Sequence, residues 1–222
     1  MNLCKTKLAI PRLNLFGVND DDSYKEKQVV LKITANDIGR LISSKIIDGL
    51  LNVSFEQNYY YDLTYFKDSI TRNLKIRRKS KIGGNKQLIE SHLIYKKLIS
   101  DDEYLIKSKV INDAEIADLL TNSLEGYRMS YVPAFAHIVE SSRNHKLFMM
   151  VKRYSPKLRT FSIMGEKSAV DKFLQEVKGV IELKITPDPT YYRNVNSKLS
   201  LDFDYELLAS EELELFKKYY GG

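Results

Sequence analysis

The stretch from Gln28 to Phe55 constrains the fold more than any other. Gln28 to Ile33 (QVVLKI) reads as a strand. Thr34 follows as a helix cap, with Asp37 three residues on as its capping-box partner. Ile38, Leu41, Ile42, Lys45, Ile46 and Leu50 then recur at helical spacing and leave Arg40, Ser44 and Asp48 outside. Val53 and Phe55 begin a second strand. This βαβ opening calls for a sheet with a helix packed on it.

The rest of the chain extends that frame. Tyr59 to Arg78 is predicted to be extended and hairpin-like from its aromatic and β-branched content. Gly83-Gly84 marks a turn, Gln87 to Ile99 a helix, and Tyr104 to Ile111 a strand. Asn112 or Asp113 caps a further helix through Leu124, ended by Gly126. Strands are predicted at Tyr131–Val139, Lys146–Tyr154, Leu158–Met164, Val180–Thr186 and Leu201–Leu207. Glu166 to Lys178 is an amphipathic helix ended by Gly179, and Ser210 caps a short last helix. Hairpins followed by helix-linked strands predict an α+β fold with largely antiparallel sheets and packed helices. Two split-βαβ, ferredoxin-like halves are one economical arrangement. The predicted division is an arm over 1–27, an α+β lobe with a basic hairpin over 28–126, and an α+β lobe with an acidic tail segment over 127–222.

At 222 residues the chain can bury a core without staples. Cys4 is the only cysteine, which excludes an internal disulfide framework and a cysteine zinc cluster and fits a reducing compartment. Leu8 to Ile10 is too short for a secretory leader, and no apolar run approaches the roughly 20 residues of a spanning helix. A cytoplasmic protein with no membrane partner is expected.

Charge carries the functional reading. The net charge is +6, unevenly spread. Arg72, Lys75, Arg77, Arg78, Lys79, Lys81 and Lys86 form one block without an acid between them. Arg143, Lys146, Lys152, Arg153, Lys157 and Arg159 form a second. Leu199 to Phe216 holds Asp202, Asp204, Glu206, Glu211, Glu212 and Glu214 and no cation. If Asn73–Arg78 is a strand, Leu74 and Ile76 hold it on the core and aim Lys75 and Arg77 outward. Cations beside stackable rings suit phosphates and bases. The candidate stackers are Tyr59, Tyr61, Tyr191 and Tyr192. The expected activity is non-catalytic binding of RNA or another single-stranded nucleic acid. Both basic blocks open onto one cleft in this reading, with the acidic segment on the far side.

Two alternatives stand beside it. His145, beside Ser141, Ser142 and Lys146, has the basic setting that metal-independent RNA cleavage needs. An assembly protein contacting an acidic partner protein is the other. Asp202, Asp204 and Glu206 alternate with apolar residues and would share a strand face, a weak pattern for a divalent cation. No cofactor is expected, since Walker, G-x-G-x-x-G and G-x-S-x-G patterns are absent. The stretch Pro133 to Gly165, with Ser141-Ser142 before a basic apolar strand and a Gly-ended strand, resembles the C-terminal part of compact CRISPR repeat-processing endoribonucleases. That resemblance covers only this stretch, implies RNA cleavage, and ranks the His145 alternative above the assembly one.

Overall fold

The structure, a computed structural model, describes residues 24–62, 72–82, 88–100, 103–119, 129–144, 146–186 and 204–220. Eight strands are present among them: β1 (Tyr24–Lys32), β2 (Gly49–Asp62), β3 (Arg72–Lys81), β4 (Leu88–Ser100), β5 (Glu103–Val110), β6 (Met129–Glu140), β7 (Leu147–Ser155) and β8 (Leu158–Gly165). Every pairing is antiparallel, and the order β1-β5-β4-β3-β2-β6-β7-β8 closes on itself. Closure depends on β1. Its first residues, Tyr24 to Lys27, pair with β5, and Lys27 to Lys32 pair with β8. Closing the sheet removes its edges.

This corrects the expected α+β fold of two ferredoxin-like halves. β1 joins strands from both halves of the chain, so no separate sheets form. The predicted helix at Gln87–Ile99 is β4. Leu93 and Ile94 are adjacent and both buried, which a strand covered on both faces permits. The described part of the predicted strand Leu201–Leu207, from Asp204 on, is not a strand either. A helix starts at Tyr205 with Asp204 as its cap, so the last helix begins before Ser210. Val180–Thr186 makes only an isolated bridge, Leu31 to Ile185.

Among the described residues four helices pack outside the barrel: α1 (Ala35–Ser43), α2 (Asp113–Asp118), α3 (Lys167–Lys178) and α4 (Tyr205–Tyr219). The predicted capping box of α1 is present, with Thr34 Oγ1 accepting from the Asp37 amide and Asp37 accepting from the Thr34 amide. Asn112 and Glu115 form a second box on α2. The largest apolar core lies between the barrel wall and α1 and α3. There Leu31, Ile38, Leu41, Phe161, Ile163, Val170 and Phe173 are nearly or fully excluded from water. The Phe161 and Phe173 rings meet edge to face at 6.3 Å. Ile116 and Leu119 cover Leu74, Ile76 and Leu93 on the opposite wall. Strand alternation then turns the intervening residues into the barrel, where the polar chemistry lies.

A cationic lumen as the candidate functional site

Register decides which residues enter the lumen. Glu56, Asn58 and Tyr60 of β2 pair with Lys79, Arg77 and Lys75 of β3. Continuing round the wall, Lys96 of β4, Gln28 and Val30 of β1, Lys152 and Tyr154 of β7, and Ser162 of β8 point the same way. Together with Phe148, Met150 and Met164 they line a cavity of about 60 Å³. An eight-stranded barrel is just wide enough for packed side chains or one small ligand.

Four cations converge on this cavity: Lys75, Arg77, Lys96 and Lys152. Glu56, fully buried, accepts from Lys152 Nζ at 2.6 Å, and Arg77 Nε lies 3.6 Å from the same oxygen. Arg77 also donates to Asn58 Oδ1 at 3.3 Å. Lys96 donates to Gln28 Oε1 at 2.6 Å and sits 3.5 Å from Glu26. Lys75 differs from these three. Its ammonium lies 5.2 Å from the Tyr60 ring centre, and among the described residues it has no carboxylate within 4.0 Å.

The protonation states follow. Burial pushes the Glu56 pKa up, but Arg77, Lys152 and Lys75 outweigh it and hold the carboxyl well below its usual range. Burial draws Lys152 down to about 8, with Arg77 adding to the effect and Glu56 opposing it. Lys75 is pushed well below its ordinary value by burial, then by Arg77, Lys152 and Lys96.

A divalent cation does not fit here. Glu56 Oε1 is a buried oxygen without a hydrogen-bond partner, the one feature that could invite a metal. A dication brought to it meets Lys152, Arg77 and Lys75. Their positive charges oppose a second cation at this carboxylate. The single carboxylate is already shared by Lys152 and Arg77. Among the described residues no three His, Cys, Asp or Glu side chains converge as ligands.

The predicted residues are dispersed by this geometry. Lys75 and Arg77 share a strand face as expected, but that face is the lumen, and Lys75 is only 5% exposed. Leu74 and Ile76 face outward, under α2. The direction is reversed because a barrel clad in helices has two insides. Arg78 pairs with Asp113 of α2 at 3.0 Å, and Lys79 with Glu90 at 2.7 Å. Lys81 is exposed at the end of β3 and Arg72 begins that strand. Tyr59 packs on Tyr131, ring centres 5.2 Å apart, and Tyr61 lies near the end of β2.

In the second block Lys152 enters the lumen, while Arg143 and Lys146 are exposed. Arg153 is on the outer wall and bound by α4, at 2.6 Å from Glu211 and 2.9 Å from Glu212. Arg159 also binds Glu212, whose other oxygen lies 2.8 Å from His137 Nε2. The acidic segment is therefore no far side. Its Glu211 and Glu212 bind Arg153 and Arg159 of the second block. Asp204 accepts from the amides of Glu206 and Leu207 as a helix cap, and Glu206 is exposed, so neither reads as a metal ligand. Lys86, His145, Tyr191, Tyr192 and Asp202 lie outside the described residues. Sequence reasoning missed Glu56, Asn58 and Lys96. The signal was the alternation Glu56-x-Asn58-x-Tyr60 opposite Lys75-x-Arg77.

No protein-family model and no curated relative matches the sequence. Solved structures do resemble it. A protein of Pyrococcus horikoshii aligns over 78% of this chain and 99% of its own, at 14% identity and a TM-score of 0.60. A candidate adenylate cyclase of Bacillus halodurans aligns over 77% and 97%, at 15% identity and a TM-score of 0.54. A candidate adenylyl cyclase of Hippeastrum with a dominant triphosphatase activity aligns over 81% and 99%, at 10% identity and a TM-score of 0.50. The fold is thus the closed antiparallel barrel that these structures share. These neighbours and the inward or neutralised cations overturn the RNA-binding, single-strand platform expected from the charge blocks. No helix among the described residues is long and apolar enough to cross a membrane.

Proposed function

We propose that the lumen binds a linear polyphosphate, as inorganic triphosphate or as the triphosphate moiety of a nucleotide. The observation that carries this is the convergence of Lys75, Arg77, Lys96 and Lys152 on one cavity in which Glu26 and Glu56 are the acids paired with them. Phosphate oxygens accept several charge-assisted hydrogen bonds at once, and a water-poor lumen strengthens each. The triphosphatase activity of the Hippeastrum barrel supports the same substrate class. Binding is favoured over turnover, because a carboxylate held as low as Glu56 is a weak base for activating water.

Calorimetric titration with inorganic triphosphate, pyrophosphate, orthophosphate and sulfate tests the reading. Affinity should rise with phosphate chain length, and Arg77→Ala should weaken the triphosphate by roughly ten- to a hundred-fold. Equal, weak binding of all four anions would sink the proposal. Phosphate release from a nucleoside triphosphate, measured with Mg²⁺ or Mn²⁺ present, separates binding from hydrolysis.

A further inference from the structure

Among the described residues Lys75 is the one lumen cation with no acid in ion-pair contact. Lys152 and Arg77 share Glu56, and Lys96 has Gln28 and Glu26. Lys75 is equally enclosed, yet its neighbours are the Tyr60 ring, Arg77 on its own strand, Lys96 from β4 and Lys152 from β7, with Glu56 the acid whose charge reaches it. A buried ammonium among other cations is poorly placed unless an anion joins it. Polyphosphates in water are ordinarily handled as Mg²⁺ complexes, in which the metal spends phosphate charge and brings its own waters. Here, among the described residues, Glu56 is shared by Lys152 and Arg77, and Glu26 faces Lys96.

We infer that the lumen takes its polyphosphate as the free anion without a divalent cation, the anion supplying the counter-charge that Lys75 lacks. The inference rests on the polyphosphate reading of the same lumen. Metal and lumen cations compete for one set of phosphate oxygens, so Mg²⁺ weakens binding instead of enabling it. Binding also takes up protons in alkaline solution. Lys75 and Lys152 both have lowered pKa values in the empty barrel, and the anion raises them. Affinity therefore falls as pH rises through the range where these two lysines lose their protons.

The test is calorimetry of the full chain with inorganic triphosphate at about pH 8.5. It is run in two buffers of different ionisation heat, with excess EDTA and again with millimolar Mg²⁺. The expected result is binding in EDTA at least as tight as in Mg²⁺, with net proton uptake. Lys75→Met should lose roughly ten- to a hundred-fold in affinity and part of that uptake. Lys96→Gln, at a position with a partly exposed side chain, gives a second variant should Lys75→Met misfold, and it should weaken metal-free binding similarly. Binding in Mg²⁺ but not in EDTA overturns the inference and leaves the polyphosphate reading standing. Wild-type affinity and proton uptake in folded Lys75→Met overturn the role of Lys75. No binding under either condition removes the polyphosphate reading and the inference with it.

Discussion

Glu212→Gln should detach the last helix from the barrel wall. Glu212 is fully buried, and its two oxygens meet His137 at 2.8 Å, Arg153 at 2.9 Å and Arg159. Burial alone would raise its pKa, but His137, Arg159 and Arg153 bring it from an ordinary 4.5 to about 2. That fall corresponds to about 3 kcal/mol of stability at neutral pH. Because the folded value is depressed, the contribution is complete above about pH 4.5 and is lost as pH falls through about 2. Glutamine keeps the shape and removes the charge, leaving Arg159 buried without its carboxylate. The cost lies within the few kcal/mol seen when one partner of a buried pair is removed. For a chain of this size the melting temperature should fall by roughly 6–12 °C. Urea unfolding at neutral pH and near pH 3 provides the assay. The difference between wild type and variant should be about 3 kcal/mol at neutral pH and shrink in acid. A difference below about 1 kcal/mol at neutral pH would refute the argument that this carboxylate holds the helix.

Three further outcomes follow from the same structure. Glu56→Gln removes the acid shared by Lys152 and Arg77 and should cost about 3–5 kcal/mol in urea unfolding, with saturating triphosphate restoring more stability to the variant than to wild type. Lys152, lowered to about 8 from 10.5, makes the folded state bind fewer protons than the unfolded chain between those values. Stability should therefore rise with pH across that window, and Lys152→Met should flatten the rise in paired urea titrations. Thr34→Ala breaks the capping box of α1 and should cost about 1 kcal/mol by thermal or urea unfolding, with triphosphate affinity unchanged because α1 lies outside the barrel.

Local chemistry was legible in the sequence where it acts over a few residues. Thr34 with Asp37 marked the start of α1, and the stripe Val170, Phe173, Val177 marked the buried face of α3. What could not be read is closure. The pairing of β1 with both β5 and β8 joins residues about 80 and about 135 positions apart, for which no local pattern exists. Closure also misdirects the usual rule of apolar inside and polar outside. With helices cladding the wall, Leu74 and Ile76 are buried outward and Lys75 and Arg77 inward, so a correct two-fold alternation was assigned the wrong direction. β4 looked helical for the same reason, since Ser91, Leu93 and Ile94 are buried from opposite sides. Arg153 and Arg159 of the second basic block looked free because their partners Glu211 and Glu212 arrive from the far end of the chain.

The measurement that bears most directly on the central claim is the affinity for inorganic triphosphate across a salt series, in wild type and in Arg77→Ala. Saturable binding that exceeds the affinity for orthophosphate, weakens with salt and drops roughly ten- to a hundred-fold in the variant is the result predicted for a polyphosphate held inside the barrel. Triphosphate binding that is absent, or unchanged by Arg77→Ala, would contradict it.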